Sequence, residues 1–342
     1  MTEFIIKAEK WNLPLKGIFT ISRSSKKIAE NVLVSISADG ITGYGEAAPN
    51  ERYGENQHSA LLFIRSIKSY AAEKPLDIRL FMDEIKKAGE KEYAAKAALE
   101  MAMLDWIGKK TQVPVYQWLN APGDKGPVSS FTIGIDSAEK VLEKIKNADK
   151  YPILKIKLGA DEDVEIIRAI RTETNKPLMI DANEGWRDLK QAKRMIEFLR
   201  DKNIVLIEQP MPADSDSDMK QLKELTNIPL IADESFTGRE SMEHIAECFH
   251  GVNIKIMKTG SVLDSISIVK QAKLHNLKVM VGCMIQSALA DAASAIVSLW
   301  ADYADIDGRL LIEKNECFWN GTDDEARITM NSTPGIGPTF IH

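Results

Sequence analysis

Three carboxylates, Asp181, Glu208 and Asp233, each end a short apolar run, at separations of 27 and 25 residues. Oxygen ligands in register, with no His or Cys beside them, suit a hard divalent cation: Mg²⁺, with Mn²⁺ as its substitute. Any one of the three would serve equally well as the cap of the helix after it. Ahead of them, Leu154-Lys155-Ile156-Lys157-Leu158 places Lys155 and Lys157 on one face of a strand. Two ammonium groups held together lower each other's proton affinity, which frees one to act as a base nearer pH 7; a half-exposed strand would carry the same pair without chemistry. Beyond the carboxylates, Lys258 ends the run that starts at 252, and Asp305 and Asp307 stand two residues apart near the end of the chain. A cation, two separated lysines and a remote acidic pair are what is needed to take a proton from the carbon beside a carboxylate, in a substrate whose other end is an ammonium. A dipeptide has that shape. No His ends an apolar run: His58, His244, His250 and His275 fall in helical or loop stretches, and His342 is terminal.

Positioning these groups takes a repeated unit. Thr132, Lys157, Asp181, Glu208, Asp233, Lys258, Cys283 and Asp307 recur every 24 to 27 residues. They fall at the ends of β-branched or apolar runs at 130–135, 153–157, 178–182, 205–208, 230–233, 252–257, 278–282 and 306–312. A helical stretch follows each run, so the pattern predicts parallel βα units closing into a barrel with its site at the C-terminal strand ends. A doubly wound open sheet would use the same elements, but no Gly-x-Gly-x-x-Gly follows an early strand. In a closed eight-stranded barrel the second and sixth strands face each other, so Lys157 and Lys258 would approach a substrate from opposite sides. Removing a proton from one face of a carbon and returning one to the other inverts a stereocentre. The eighth strand lies opposite the fourth, which sets Asp305 and Asp307 across the mouth from the metal; a surface acidic turn is the alternative for that pair.

The N-terminal part reads differently. Strand-like stretches at 4–11 and 32–37 precede a turn at 38–41 and a return through 42–46, a hairpin; helical patterns follow at 58–72 and 92–108. At 342 residues the chain is long enough for about two domains, and 44% hydrophobic with 27% charged residues argues for a packed fold. Forty-four Lys and Arg against fifty Asp and Glu give a net charge of −6 with no basic block, so nucleic acid is not an expected partner. Glu3, Lys7 and Glu9 interrupt the N-terminus where a signal peptide needs an apolar run, and no stretch reaches a membrane span of about 18 apolar residues. A cytoplasmic protein is expected. Cys248, Cys283 and Cys317, odd in number and without CxxC spacing, read as reduced thiols.

Taken together, the residues resemble the enolase superfamily, in its muconate lactonizing enzyme subgroup, and most closely the dipeptide epimerases. The resemblance rests on Gly43-Tyr44-Gly45-Glu46-Ala47-Ala48-Pro49, the Ala94–Glu100 helix, Val113-Pro114-Val115-Tyr116, Lys155-Ile156-Lys157, Asp181-Ala182-Asn183, Glu208-Gln209-Pro210, Asp233-Glu234-Ser235, Lys258, Gly282-Cys283-Met284 and Asp305-Ile306-Asp307. It implies an α/β fold, a modified (β/α)₇β TIM-type barrel at 121–314, with an α+β capping domain at 1–120 completed by 315–342. It implies an isomerase: Lys157 and Lys258 as the acid/base pair, Asp181, Glu208 and Asp233 as Mg²⁺ ligands, and Asp305 and Asp307 as holders of the dipeptide ammonium. Lys155, Thr132, Cys283, Met284 and Ile285 would contact the substrate, and Arg23, in the early loop, would pair with a glutamyl carboxylate, making L-Ala-D/L-Glu the favoured dipeptide. Where the family pattern carries Glu-Ser after Gly-Cys-Met, Gln286 removes a charge expected at the rim. Epimerases of other dipeptides, apolar or cationic, and the o-succinylbenzoate synthases or cycloisomerases of the subgroup stay open, as does a non-catalytic barrel that binds a metal and a small acid. The sequence leaves a homo-oligomer open too.

Overall fold

A computed structural model describes residues 1–340. Ile341 and His342, the last two residues of the expected capping segment, lie outside the described residues. The first 72 residues contribute an antiparallel sheet of β1 (Thr2–Ile21), β2 (Ser24–Ala38), β3 (Ile41–Ala47) and β4 (Ser69–Ala72), in the order β3-β2-β1-β4. The β2–β3 hairpin turns at Asp39-Gly40, both at positive φ (52° and 74°), a conformation that Asp-Gly adopts readily. Val32, Val34 and Ile36 alternate into the core. Against this sheet pack α1 (Gln57–Ser66), α2 (Ile78–Lys87) and the Ala-rich α3 (Tyr93–Thr111). Gly43 and Gly45 let β3 lie directly on α3: an added Cβ would meet Ala102 O at 2.1 Å and Ala98 O at 2.0 Å. The helix expected over 58–72 stops at Ser66, because residues 69–72 instead pair with residues 2–5 as the edge strand.

After α4 (Val115–Trp118) and β5 (Lys125–Val128) the chain enters the barrel. Its strands are β6 (Phe131–Ile133), β7 (Leu154–Lys157), β8 (Leu178–Asp181), β9 (Ile204–Glu208), β10 (Leu230–Ala232), β11 (Gly251–Ile254), β12 (Lys278–Gly282) and β13 (Tyr303–Asp305). They run parallel in sequence order, and a bridge between Ser129 and Ala304 brings the two edges together. The intervening helices are α5 (Ala138–Asn147), α6 (Asp163–Glu173), α7 (Leu189–Leu199), α8 (Asp216–Glu224), α9 (Met242–Cys248), the single turn α10 (Ile256–Thr259), α11 (Val262–Leu274) and α12 (Ala288–Ser298). The 24- to 27-residue recurrence is therefore the length of one βα unit. The eighth strand lies earlier than the expected 306–312: the ladder ends at Asp305, and Asp307 O accepts from Leu310 N at 2.8 Å to open a 3₁₀ turn, Gly308–Leu311.

The chain then returns to the N-terminal sheet. β14 (Cys317–Phe318) pairs with β16 (Thr339–Phe340), β15 (Arg327–Thr329) pairs with β5, and the Phe340 ring centroid lies 4.5 Å from that of Tyr44. Two buried glutamates of the N-terminal unit sit on barrel helices. Glu46 accepts from Ser287 N and Oγ at the start of α12, and Glu100 accepts from Ser261 Oγ (2.8 Å) and Val262 N at the start of α11. Helix N-termini, with their free N–H groups, are where a carboxylate is best placed. Among the described residues no helix is long and apolar enough to cross a membrane.

Candidate active site

A cavity of about 530 Å³ opens at the C-terminal ends of the barrel strands, under the β1–β2 tip and the loop after β3. Asp181 and Glu208 terminate β8 and β9, and Asp233 follows β10; all three are buried, with Asp181 beside Glu208 in the ladder and Asp233 two residues beyond Ile231, the partner of Glu208 on β10. Gln209, at a φ of 35°, fastens the next strand end: its Oε1 accepts from Asp233 N (3.0 Å) and Ser235 N (3.1 Å). Asp181 Oδ2 receives both lysines of β7, Lys157 at 2.5 Å and Lys155 at 3.0 Å. Burial alone would raise the Asp181 pKa, yet Lys155 and Lys157 hold it below the usual carboxylate range. Glu208 goes the other way, pushed up to about 7 by burial and by the charge of Asp181.

Lys155 is fully buried and joins three strands: its Nζ lies 2.7 Å from Glu208 Oε2 and 2.6 Å from Asp305 Oδ2, besides Asp181. The expectation that the acidic pair stands remote from the metal carboxylates therefore fails for Asp305, because β13 is next but one to β7 around the closed barrel. Asp305 Oδ1 accepts from Ser130 Oγ (2.8 Å) and Thr132 Oγ1 (3.0 Å), while Asp307 Oδ2 accepts from Thr132 N (2.6 Å). Burial and the Asp305 charge push Asp307 up to about 7. Thr132, Cys283, Met284, Ile285, Asp305 and Asp307 all line the cavity.

Lys258 does not. β11 ends at Ile254, Lys255 is the last extended residue (φ −121°, ψ 124°), and α10 carries Lys258 behind Asp233. There Lys258 Nζ donates to Asp233 O (2.8 Å), Asp233 Oδ1 (2.7 Å) and Asn253 O (3.0 Å), so each ammonium proton has a partner. The lysine lining the cavity from the sixth strand, facing Lys157 on the second, is Lys255, whose Nζ donates to Asp233 Oδ2 at 2.8 Å. Although burial opposes its charge, Asp233 and Glu208 hold the Lys255 pKa above the ordinary lysine value. The sequence carried a signal for it: Asn253 and Lys255 share the inward face of β11 by the period of two, and Asn253 Nδ2 donates to Glu208 Oε1 at 2.7 Å.

Arg23 reaches the cavity from the β1–β2 tip, but its Nη1 is already engaged, 2.6 Å from Glu234 Oε1 and donating to Asn183 O at 3.3 Å. Arg52 grips the same barrel loop through Glu184, with Nε at 3.1 Å and Nη2 at 2.9 Å. Gln286, expected at the rim, is buried below it; its Nε2 donates to Asp291 Oδ1 (3.1 Å) and Ser294 Oγ (3.3 Å). The sequence reading also passed over Tyr53, which lines the cavity and whose phenol burial and Asp233 hold well above its usual pKa.

The donor set fits a divalent cation. Three buried carboxylates at neighbouring strand ends offer oxygen atoms only, Lys155 touches both Asp181 and Glu208, and Glu208 Oε2, although close to Lys155, has no aligned hydrogen bond.

Residues 1–120 match the mandelate racemase / muconate lactonizing enzyme N-terminal domain, and residues 137–340 match the enolase C-terminal domain-like family. The chain is 36% identical over 328 residues to the L-Ala-D/L-Glu epimerase of Bacteroides thetaiotaomicron, covering 96% of this chain and 85% of that protein. It is 37% identical over 338 residues to the L-Ala-D/L-amino acid epimerase of Pedosphaera parvula, covering 96% of each. Among solved structures, the dipeptide epimerase of Enterococcus faecalis complexed with Mg and L-Leu-L-Tyr superposes with a TM-score of 0.90 at 27% identity, covering 99% of this chain and 100% of that one. Two-domain architecture, the carboxylate trio on successive barrel strands and these matches agree: the chain belongs to the mandelate racemase/muconate lactonizing enzyme family of the enolase superfamily.

Proposed function

We propose that the protein is a dipeptide epimerase that inverts the α-carbon of the C-terminal residue. One observation carries the reading: Lys157 and Lys255 line one cavity from opposed barrel strands, with buried carboxylates between them and a second acidic pair at its wall. Asp181, Glu208 and Asp233 would hold the cation, Mg²⁺ or in its place Mn²⁺, whose charge offsets the negative charge that develops on the substrate carboxylate. Asp305 and Asp307 anchor the ammonium of the first residue, and Thr132 orients both of them. One lysine, neutral, takes the α-proton; the electron pair of the C–H bond passes to the adjacent carboxylate. The opposite lysine, as ammonium, returns a proton to the other face, and the enzyme ends with the two protonation states exchanged. The barrel at 121–314 supplies these groups, and the cap, from 1–120 and from 315 onward, closes the mouth.

L-Ala-D/L-Glu is the substrate favoured by the Bacteroides relative's name and by Arg23 at the cavity wall. The ion pair of Arg23 with Glu234 supports a second reading, a wider range of L-Ala-Xaa dipeptides, because part of the guanidinium is already taken. The three free cysteines support a cytoplasmic setting. The test is incubation of L-Ala-L-Glu and L-Ala-L-Leu in D₂O with Mg²⁺, followed by mass spectrometry and separation of the diastereomers. Deuterium in the C-terminal residue together with the L,D product is expected; exchange that is absent, or that persists after the metal is chelated, would replace this mechanism.

A further inference from the structure

We infer that Lys258 is a positioning residue, which fixes the Asp233 carboxylate so that the cation site is formed before the cation arrives. The inference rests on the metal reading above.

Three features support it. Lys258 is 2% exposed, and its three contacts, Asp233 O, Asp233 Oδ1 and Asn253 O, use its three ammonium protons. A single side chain thus ties the backbone and the carboxylate of one residue together, which leaves Asp233 little freedom in its side-chain torsions. Asp233 Oδ2 is left toward the cavity, where it meets Lys255. Backbone geometry supports the division of labour. Gly260, at a φ of 81°, ends α10 after one turn, and Lys258 O accepts from Arg239 Nη1 at 3.1 Å, so the turn carrying Lys258 is itself held from the barrel's fifth loop. Lys255 stands at the end of extended backbone and lines the cavity; Lys258 stands one turn on and does not. A group that orients a ligand in this way contributes about 10- to 100-fold in metal affinity.

Two variants of the full chain separate the roles. Lys258→Met removes all three donors, and Lys258→Gln keeps an amide donor if Met proves too disruptive to fold. Mn²⁺ is titrated into each, with free Mn²⁺ read by electron paramagnetic resonance, alongside thermal melting and epimerisation at saturating metal. Lys258→Gln is expected to weaken Mn²⁺ binding by 10-fold or more, to lose less than Lys258→Met, and to regain turnover as metal is raised; Lys255→Met should bind Mn²⁺ at least as tightly as wild type and give no epimerisation. A Lys258→Gln protein that melts earlier yet binds Mn²⁺ as wild type does would make Lys258 merely structural. Loss of turnover that metal cannot restore, with Lys255→Met still active, would make Lys258 the base. Wild-type protein that binds no Mn²⁺ would instead remove the metal reading on which the inference stands.

Discussion

Arg23 and Glu234 form an ion pair at 2.6 Å across the seam between the cap and the barrel. Glu234 is fully buried at its side chain, and its Oε2 has no hydrogen-bond partner, so Arg23 supplies the charge that keeps this carboxylate tolerable inside the protein. Replacing Arg23 therefore touches two things. Arg23→Met should lower kcat/KM for every dipeptide, through the loosened seam, and lower it by a further 10- to 150-fold or so for L-Ala-L-Glu if the remaining guanidinium N–H groups bind the glutamyl carboxylate. Steady-state kinetics on L-Ala-L-Glu and L-Ala-L-Leu separate the two parts. Equal losses would confine Arg23 to the seam and favour the wider L-Ala-Xaa reading.

The opposed lysines should divide by face. Lys157→Ala and Lys255→Ala should each abolish epimerisation, while each retains α-proton exchange with one substrate enantiomer only. Deuterium incorporation starting separately from the L,L and L,D dipeptides reads this directly, and near wild-type epimerisation by either variant would end the two-base mechanism.

An acidic limb should appear in the pH profile. With Asp307 pushed up to about 7, the group that would pair with the substrate ammonium loses its charge as pH falls below 7, and kcat/KM should fall with it. Asp307→Asn should remove that limb and lower the plateau, because the charge is then absent at every pH. A limb of unchanged position in the variant would assign it to another group.

Stability should carry the opposite sign of pH dependence at the domain seam. Burial, opposed by bonds from Ser261 and Val262, pushes Glu100 up to about 7, and Asp264 nearby adds to the rise. Because the folded value lies above the unfolded one, the contribution is fully present below about 4.5 and is lost as pH rises through 7, on the order of 3 kcal/mol in all. Urea unfolding at pH 5 and pH 8 should differ by most of that amount more in the wild-type protein than in Glu100→Gln. Equal pH dependence in the two would show that Glu100 is not the titrating group.

Much of this site could be read from residue order because a barrel repeats. The 24- to 27-residue spacing marked the strand ends, and the carboxylates of β8, β9 and β10 fell where the period put them. The same period misled at the sixth strand. It pointed to Lys258, whereas the inward alternation of Asn253 and Lys255 and the early start of α10 put Lys255 at the cavity. The eighth strand ended sooner than its apolar run suggested, since Asp307 already starts a turn. Contacts between distant segments left no local trace at all. Nothing near Arg23 in the sequence announces Glu234, and nothing near Glu46 announces Ser287 as its partner at the start of α12. Pairings of that kind come from closing the chain, and a period within one segment does not report them.

The return of the tail to the N-terminal sheet sets an order on biosynthesis. Tyr44 and Trp11 leave the ribosome before the barrel, but Phe340, which packs on both, and Ile336, whose N–H bonds Asp105, emerge only after it. The cap can gather its sheet and α3 during translation, yet its apolar edge stays uncovered until the whole barrel has been made. A nascent chain stalled just short of the tail would therefore have every proposed catalytic group and still present Trp11 and Tyr44 to the chaperones around the tunnel exit.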